Sequence, residues 1–281
     1  MRLGFLEGFS EDTLRIANEG QFECLELRGV EPWIDDAEAR KVALSQLYDY
    51  NLEVASFMEL GPSLRTPKDE MPAVLDKYGK LMDLANEFGG AVLTGAAPMG
   101  YDPSKGLEAN VALYKEVYSP IGDLAEKKGA RIAFENWPGG KGPFGENGSL
   151  CVTPESIEMM LEAVPTQAIG LEFDPSHFIW QGIDPMRAAV AFMDRIHIIH
   201  AKDTGIDEER LEWCGAWGSR WWRYRLPGFA DFDWQAFLAL FPENGVDCDV
   251  IIEHEDSSFY GDRFGAGLLL SGKYLQSVMF A

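Results

Sequence analysis

Cysteine is scarce in this chain of 281 residues, and the four present do not cluster. Cys24, Cys151, Cys214 and Cys248 lie far apart and form no CxxC pair, so neither a zinc ribbon nor a disulfide framework is indicated. Cys24 and Cys248 fall in or beside apolar runs, the ordinary place for a reduced, buried thiol. Positive charge is also short: 24 Lys and Arg stand against 46 Asp and Glu, a formal net charge of -22. Such a chain repels a phosphate backbone, which makes nucleic acid a poor partner. The acidic excess reads instead as a solvated, solubilising surface. No apolar run approaches the length of a membrane span. The first residues, Met1-Arg-Leu-Gly-Phe-Leu-Glu7, turn acidic too soon for a signal peptide. These absences lead to the expectation of a soluble, cytoplasmic protein with no membrane partner.

What is present is an alternation. Apolar runs at Arg2–Leu6, Phe22–Leu27, Leu52–Met58, Ala91–Gly95, Arg131–Glu135, Ile169–Phe173, Ile196–His200 and Val250–Glu253 read as strands. Between them lie helical patterns: Glu11 to Glu19 behind a Ser10 cap, Asp35 to Tyr50, Glu70 to Phe88, Pro103 to Lys128, and a helix from Thr153-Pro-Glu-Ser156 through Ala163. Pro185 to Met193, a helix opened by Asp233, and Phe264 to Phe280 complete the set. Each crossover is long enough for a parallel connection, and several strands are apolar on both faces, as a sheet covered by helices requires. No compositional break divides the chain. The expectation is an α/β fold, one (β/α)8 TIM barrel spanning residues 1–281 as a single domain. No GxGxxG follows the first strand, which weakens an open doubly wound sheet.

Several strands end abruptly in a metal-ligating side chain. Ile169-Gly-Leu-Glu-Phe-Asp174 breaks at Pro175, Arg131–Glu135 ends in Glu135, Ile196–His200 in His200, and Asp249–Glu253 in Glu253. In a barrel the C-terminal strand ends converge on one mouth, so these four would face one another. Three carboxylates and an imidazole form a hard, oxygen-rich set for one divalent ion, Mn²⁺ foremost, with Mg²⁺, Co²⁺ or Zn²⁺ compatible. His197 differs from His200 by an odd number, so regular alternation sends it towards the helices. Between Thr204 and Asp231 lies a long excursion holding Trp213, Trp217, Trp221 and Trp222. Its segment Ser219–Gly228 carries Arg220, Arg223 and Arg225, in which aromatics suit a sugar face and arginines an oxyanion. The bland alternative is a loop that packs its tryptophans on the barrel rim.

The runs Ala133-Phe-Glu135-Asn-Trp-Pro, Phe173-Asp-Pro-Ser-His177, His200-Ala-Lys-Asp203 and Ile252-Glu-His-Glu-Asp256 together resemble the sugar phosphate isomerase/epimerase family, the xylose-isomerase-like barrels. The resemblance covers essentially the full length and keeps four motifs in order. It implies Glu135, Asp174, His200 and Glu253 as metal ligands, with Glu135 and Glu253 flanking the substrate as acid and base, as in ketose 3-epimerases. It also implies that His177 hydrogen-bonds substrate oxygens. The chain departs from the pattern at Lys202, where such epimerases place an arginine shortly after the histidine. Lys202 and Arg225 join His177 as candidate substrate contacts.

The expected activity is metal-dependent isomerisation or epimerisation of a keto- or aldo-sugar through an enediolate. Elimination across a keto-sugar or keto-glycoside begins with the same α-proton removal and is the alternative; a non-catalytic sugar-binding or partner subunit is a third. AP endonucleases share this barrel but use many histidines, whereas this chain has 4. No phosphate cradle stands out, which favours an unphosphorylated small-molecule sugar, and the Trp-rich excursion is compatible with a homo-oligomer.

Overall fold

The computed structural model describes residues 1–59, 61–95 and 98–279. Eight strands close into a parallel barrel: β1 (Leu3–Gly8), β2 (Cys24–Arg28), β3 (Glu53–Met58), β4 (Val92–Gly95), β5 (Ile132–Glu135), β6 (Ile169–Phe173), β7 (Ile196–Ala201) and β10 (Asp249–Ile252). Between the last two, β8 (Asp203–Ile206) and β9 (Trp222–Arg225) form a separate antiparallel hairpin inside the excursion. The helices are α1 (Glu11–Glu19), α2 (Ala37–Asp49), α3 (Met71–Glu87), α4 (Gly106–Lys128), α5 (Pro154–Ala163), α6 (Pro175–Ile179), α7 (Pro185–Ala191), α8 (Glu208–Cys214), α9 (Trp234–Glu243) and α10 (Phe264–Met279). The (β/α)8 expectation therefore holds, with boundary changes. The second helix begins at Ala37 because Glu31–Ile34 makes its own 3₁₀ turn and Asp36 caps the helix. The fourth begins at Gly106, past Pro103. Phe280, read as the end of the last helix, lies outside the described residues. No described helix is long and apolar enough to cross a membrane.

Two layers of apolar packing follow from strand alternation. Outward residues such as Phe134 meet the helices, where Phe134 packs edge-on against Tyr114 and Tyr118 of α4. Inward residues Leu6, Cys24, Ala55, Val92, Ala133, Ile198 and Ile251 fill the barrel. Above that plug, towards the C-terminal mouth, the interior turns polar.

His197 does not follow simple alternation. The β6–β7 register passes from Leu171–Ile196 to Glu172–Ile198, so His197 is an extra residue, a β-bulge. A bulge breaks the period of two. The imidazole lies on the side of Gly170, whose partner on β5 is the inward-facing Ala133, and a Cβ built on Gly170 would sit 2.7 Å from the ring. His197 thus lies against the barrel interior rather than the helices, with Nδ1 3.2 Å from the Ile132 carbonyl and far from the mouth. Burial, with the nearby Arg131 and Arg195 charges, pushes its pKa down to about 4.

A pH prediction follows. The unfolded chain protonates His197 before the folded one does, so this residue's contribution falls as pH drops from 6.5 towards 4, by about 3 kcal/mol in total. Asp203 acts oppositely. Burial raises its carboxyl from 3.8 to about 6, against hydrogen bonds from Thr204 N and Trp234 Nε1. Its contribution therefore grows as pH falls from 6 to 3.8, again by about 3 kcal/mol. In the wild type the two nearly cancel. Removing one side in H197Q should make stability, measured by urea denaturation relative to wild type, rise as pH falls from 6 to 4; parallel pH profiles would refute the assignment.

Candidate metal centre

Glu135 ends β5, Asp174 follows β6, His200 lies on β7 and Glu253 follows β10. One ligand atom from each lies within 4.8 Å of the other three, so four side chains up to 118 positions apart meet at one point of the mouth. Local structure fixes each. Asp174 caps α6, its Oδ1 accepting from Ser176 N at 2.8 Å. The Asn136 side chain clamps the Asp174 backbone, accepting from its N–H at 2.7 Å and donating to its carbonyl at 2.8 Å. That leaves Asp174 Oδ2 buried and facing the centre, with the Lys202 ammonium 3.0 Å away.

His200 is oriented from below. Its Nε2 lies 2.7 Å from Glu26 Oε2 and 3.0 Å from Glu172 Oε1. A carboxylate only accepts, so Nε2 carries the hydrogen towards Glu26, whose other oxygen accepts from the Thr94 hydroxyl. The opposite nitrogen, Nδ1, is buried without a hydrogen-bond partner, 3.5 Å from Glu135 Oε1 and 3.4 Å from Glu253 Oε2. Asp174 Oδ2 and the unpartnered His200 Nδ1 thus converge beside two carboxylates. This donor set fits a divalent cation.

The charges are strongly coupled. Burial alone would raise Glu135, but the Lys202 ammonium and the imidazoles of His177 and His200 hold it well below the usual carboxylate range. Glu253 is lowered too: burial and Glu135 oppose this, Lys202 and His200 prevail. Lys202 is fully buried yet raised well above an ordinary lysine, because Asp174, Glu253, Glu135 and Glu255 outweigh its desolvation. Burial and the adjacent Glu26 push Glu172 well above the usual carboxylate range.

Six of the seven residues singled out from the sequence come together here. His177 Nε2 lies 3.1 Å from Glu135 Oε1, and the Lys202 ammonium touches Glu253, with Glu255 Oε2 at 2.9 Å and Asp174 Oδ2 at 3.0 Å. Arg225 does not join them. On β9 it points to the opposite face from Tyr224, pairing with Asp256 at 3.0 Å. With Arg220 and Arg223 it lines a cleft of about 630 Å³ whose rim also holds Asp207 and Asp231. Of the tryptophans, Trp221 is buried, Trp222 stacks on Trp180 at 4.8 Å, and Trp213 and Trp217 stand in solvent.

Glu26, Glu172 and Tyr224 escaped the sequence reading. The first two left a signal: each is an acid inside an apolar strand, Glu172 two residues before Asp174 and so on its face. Tyr224 left none, because only the hairpin pairing Thr204–Tyr224 brings it inward.

A family model, the xylose isomerase-like TIM barrel, matches residues 14–271. The chain belongs to this family. Within it, similarity to an inosose dehydratase of Clostridium perfringens is 22% identity over 146 residues, 50% of this chain and 46% of that protein. The chain thus spans about half the length of the curated relatives it matches. Among solved structures, IolI with a bound zinc atom superposes with a TM-score of 0.72 at 17% identity, covering 99% of this chain and 98% of that one. The 3-keto-D-glucoside 4-epimerase YcjR of E. coli gives 0.71 at 14%, covering 99% of both chains. At such identities the likeness is one of fold.

Glu26 supports a prediction in this xylose isomerase-like barrel. Removing the acceptor on His200 Nε2 frees the ring to rotate and to change tautomer, so E26A should weaken divalent-ion affinity by about 10- to 100-fold. Isothermal titration with Mn²⁺ checks it, and unchanged affinity would rule out an orienting role.

Proposed function

We propose that the protein is a divalent-metal-dependent isomerase or epimerase that moves a proton next to the carbonyl of an uncharged keto-sugar. The observation that carries this reading is the ionised pair Glu135 and Glu253, brought from β5 and the end of β10 to one centre with Asp174 and His200. A divalent ion held by these four would polarise a carbonyl and its neighbouring hydroxyl, acidifying the adjoining C–H. One glutamate takes that proton as a base. Return from the other carboxylate on the opposite face inverts the carbon, and return to the neighbouring carbon isomerises the sugar. Buried His177, beside Glu135, is placed to hydrogen-bond a substrate oxygen.

The charge inventory supports an unphosphorylated substrate. Among the described residues, Lys202 is the Lys or Arg within ion-pair distance of the ligand carboxylates, and its ammonium is already shared by Glu253, Glu255 and Asp174. Arg225 is tied to Asp256. Among the described residues, no free cation at the centre offers itself to a phosphate.

Dehydration, which begins with the same proton removal, is a second reading. The inosose dehydratases among the relatives agree with it. Incubating the protein with Mn²⁺, D₂O and a panel of ketoses, inososes and 3-keto-glucosides separates these outcomes by mass spectrometry. Deuterium gained without loss of a group supports epimerisation or isomerisation, and loss of water or an alcohol supports elimination. Absence of exchange with every substrate, together with no bound or activating divalent ion, would leave a non-catalytic barrel.

A further inference from the structure

The ring of His177 is wholly buried, and its Nε2 faces groups with opposite demands, among them Asp174 Oδ2 at 3.4 Å. Glu135 Oε1, at 3.1 Å, can only accept a hydrogen bond; the Lys202 ammonium, at 3.3 Å, can only donate one. A single ring nitrogen cannot serve both. Lys202 has acceptors elsewhere, in Glu253 and Glu255. A bare Nε2 would press its lone pair against the Glu135 carboxylate. The arrangement therefore favours the hydrogen on Nε2, which in a neutral imidazole leaves Nδ1 as the acceptor. Facing Nδ1 at 2.9 Å is the hydroxyl of Tyr224.

Tyr224 is held there firmly. The β8–β9 hairpin pairs it with Thr204, Trp222 packs against its ring at 5.0 Å while stacking on Trp180, and the Lys202 ammonium lies 4.6 Å over its face. Burial keeps its phenol protonated and so a donor. The excursion that interrupts the barrel thus delivers one hydroxyl to one nitrogen.

We propose that Tyr224 is a positioning residue: by donating to His177 Nδ1 it holds the imidazole in the tautomer whose Nε2–H points at Glu135, where the proton transfer proposed above takes place. The geometric half of this inference stands on hydrogen-bonding demands alone, and its kinetic consequence rests on the proposed function.

The test needs no substrate for its first part. With 4 histidines in the chain, ¹⁵N-histidine labelling of the Mg²⁺-loaded protein resolves every ring, and H177Q assigns His177 by its missing signals. Wild-type protein should show His177 protonated at Nε2 with Nδ1 a hydrogen-bonded acceptor. Y224F should shift His177 towards the Nδ1–H form while His197 and His254 stay unchanged. A wild-type proton on Nδ1, or an unaltered His177 in Y224F, overturns the proposal. The wild-type reading stands even if Y224F does not fold. In the exchange assay, Y224F should slow deuterium incorporation by about tenfold or more with little change in KM; an altered tautomer with an undiminished rate would refute the link to proton transfer. Failure to find any exchanging substrate would count against the functional reading alone.

Discussion

Glutamine in place of Glu135 or Glu253 is expected to cut solvent-deuterium incorporation into substrate by at least about 10³-fold. The amide has the carboxylate's shape but cannot hold a proton reversibly, and general acid–base groups contribute about 10² to 10⁴ each. Each variant also removes one of three anionic donors, so a weaker divalent-ion Kd should accompany the lost rate. The folds should survive, because a glutamine keeps the hydrogen-bonding volume beside His177 and Lys202. An epimerase that uses both residues loses overall turnover in either variant. Single-turnover exchange from substrates of opposite configuration should then distinguish them, since each glutamate serves one face. A fully active E135Q or E253Q would refute the acid–base assignment.

The second large effect concerns stability. Lys202→Met should cost about 3–5 kcal/mol in the presence of a chelator, because a buried cation is withdrawn from among Asp174, Glu253, Glu135 and Glu255 while the methionine keeps only its apolar stem. The remaining carboxylates would repel one another in a low-dielectric mouth, and Glu135 and Glu253 would lose the ammonium that now lowers their pKa values. A saturating divalent ion restores positive charge at the same place and stabilises the folded state by binding it. Much of the loss should therefore return when urea denaturation is repeated with excess Mn²⁺. Equal losses with and without the ion would show that Lys202 does not share the ligand carboxylates with it.

Glu26 and Glu172 show how far strand alternation carries and where it stops. An acid two residues from a buried partner on the same strand lies on the same face, so Glu172 beside Asp174 was readable in principle. That Glu26 belongs under His200 was not, because their contact joins positions 174 apart. His197 shows the opposite failure: the rule was applied, and a single extra residue in β7 turned the side chain inward.

The chain by itself determined the barrel and the side chains that gather at its mouth. Eight apolar runs separated by capped helices admit few closed solutions, and an acid or histidine at the end of a buried strand has one place to go. Glu135, Asp174, His200 and Glu253 were legible for that reason, with His177 and Lys202 carried along by their neighbours. Tertiary structure alone decided the second tier: which carboxylate orients His200, which face of the excursion meets the centre, and whether Tyr224 or Arg225 reaches it. Hairpin register settles the last of these, because a shift of one residue exchanges the two faces of β9. Pairing between Asp203–Ile206 and Trp222–Arg225 sets that register, and the Trp222–Trp180 stack holds it against the barrel.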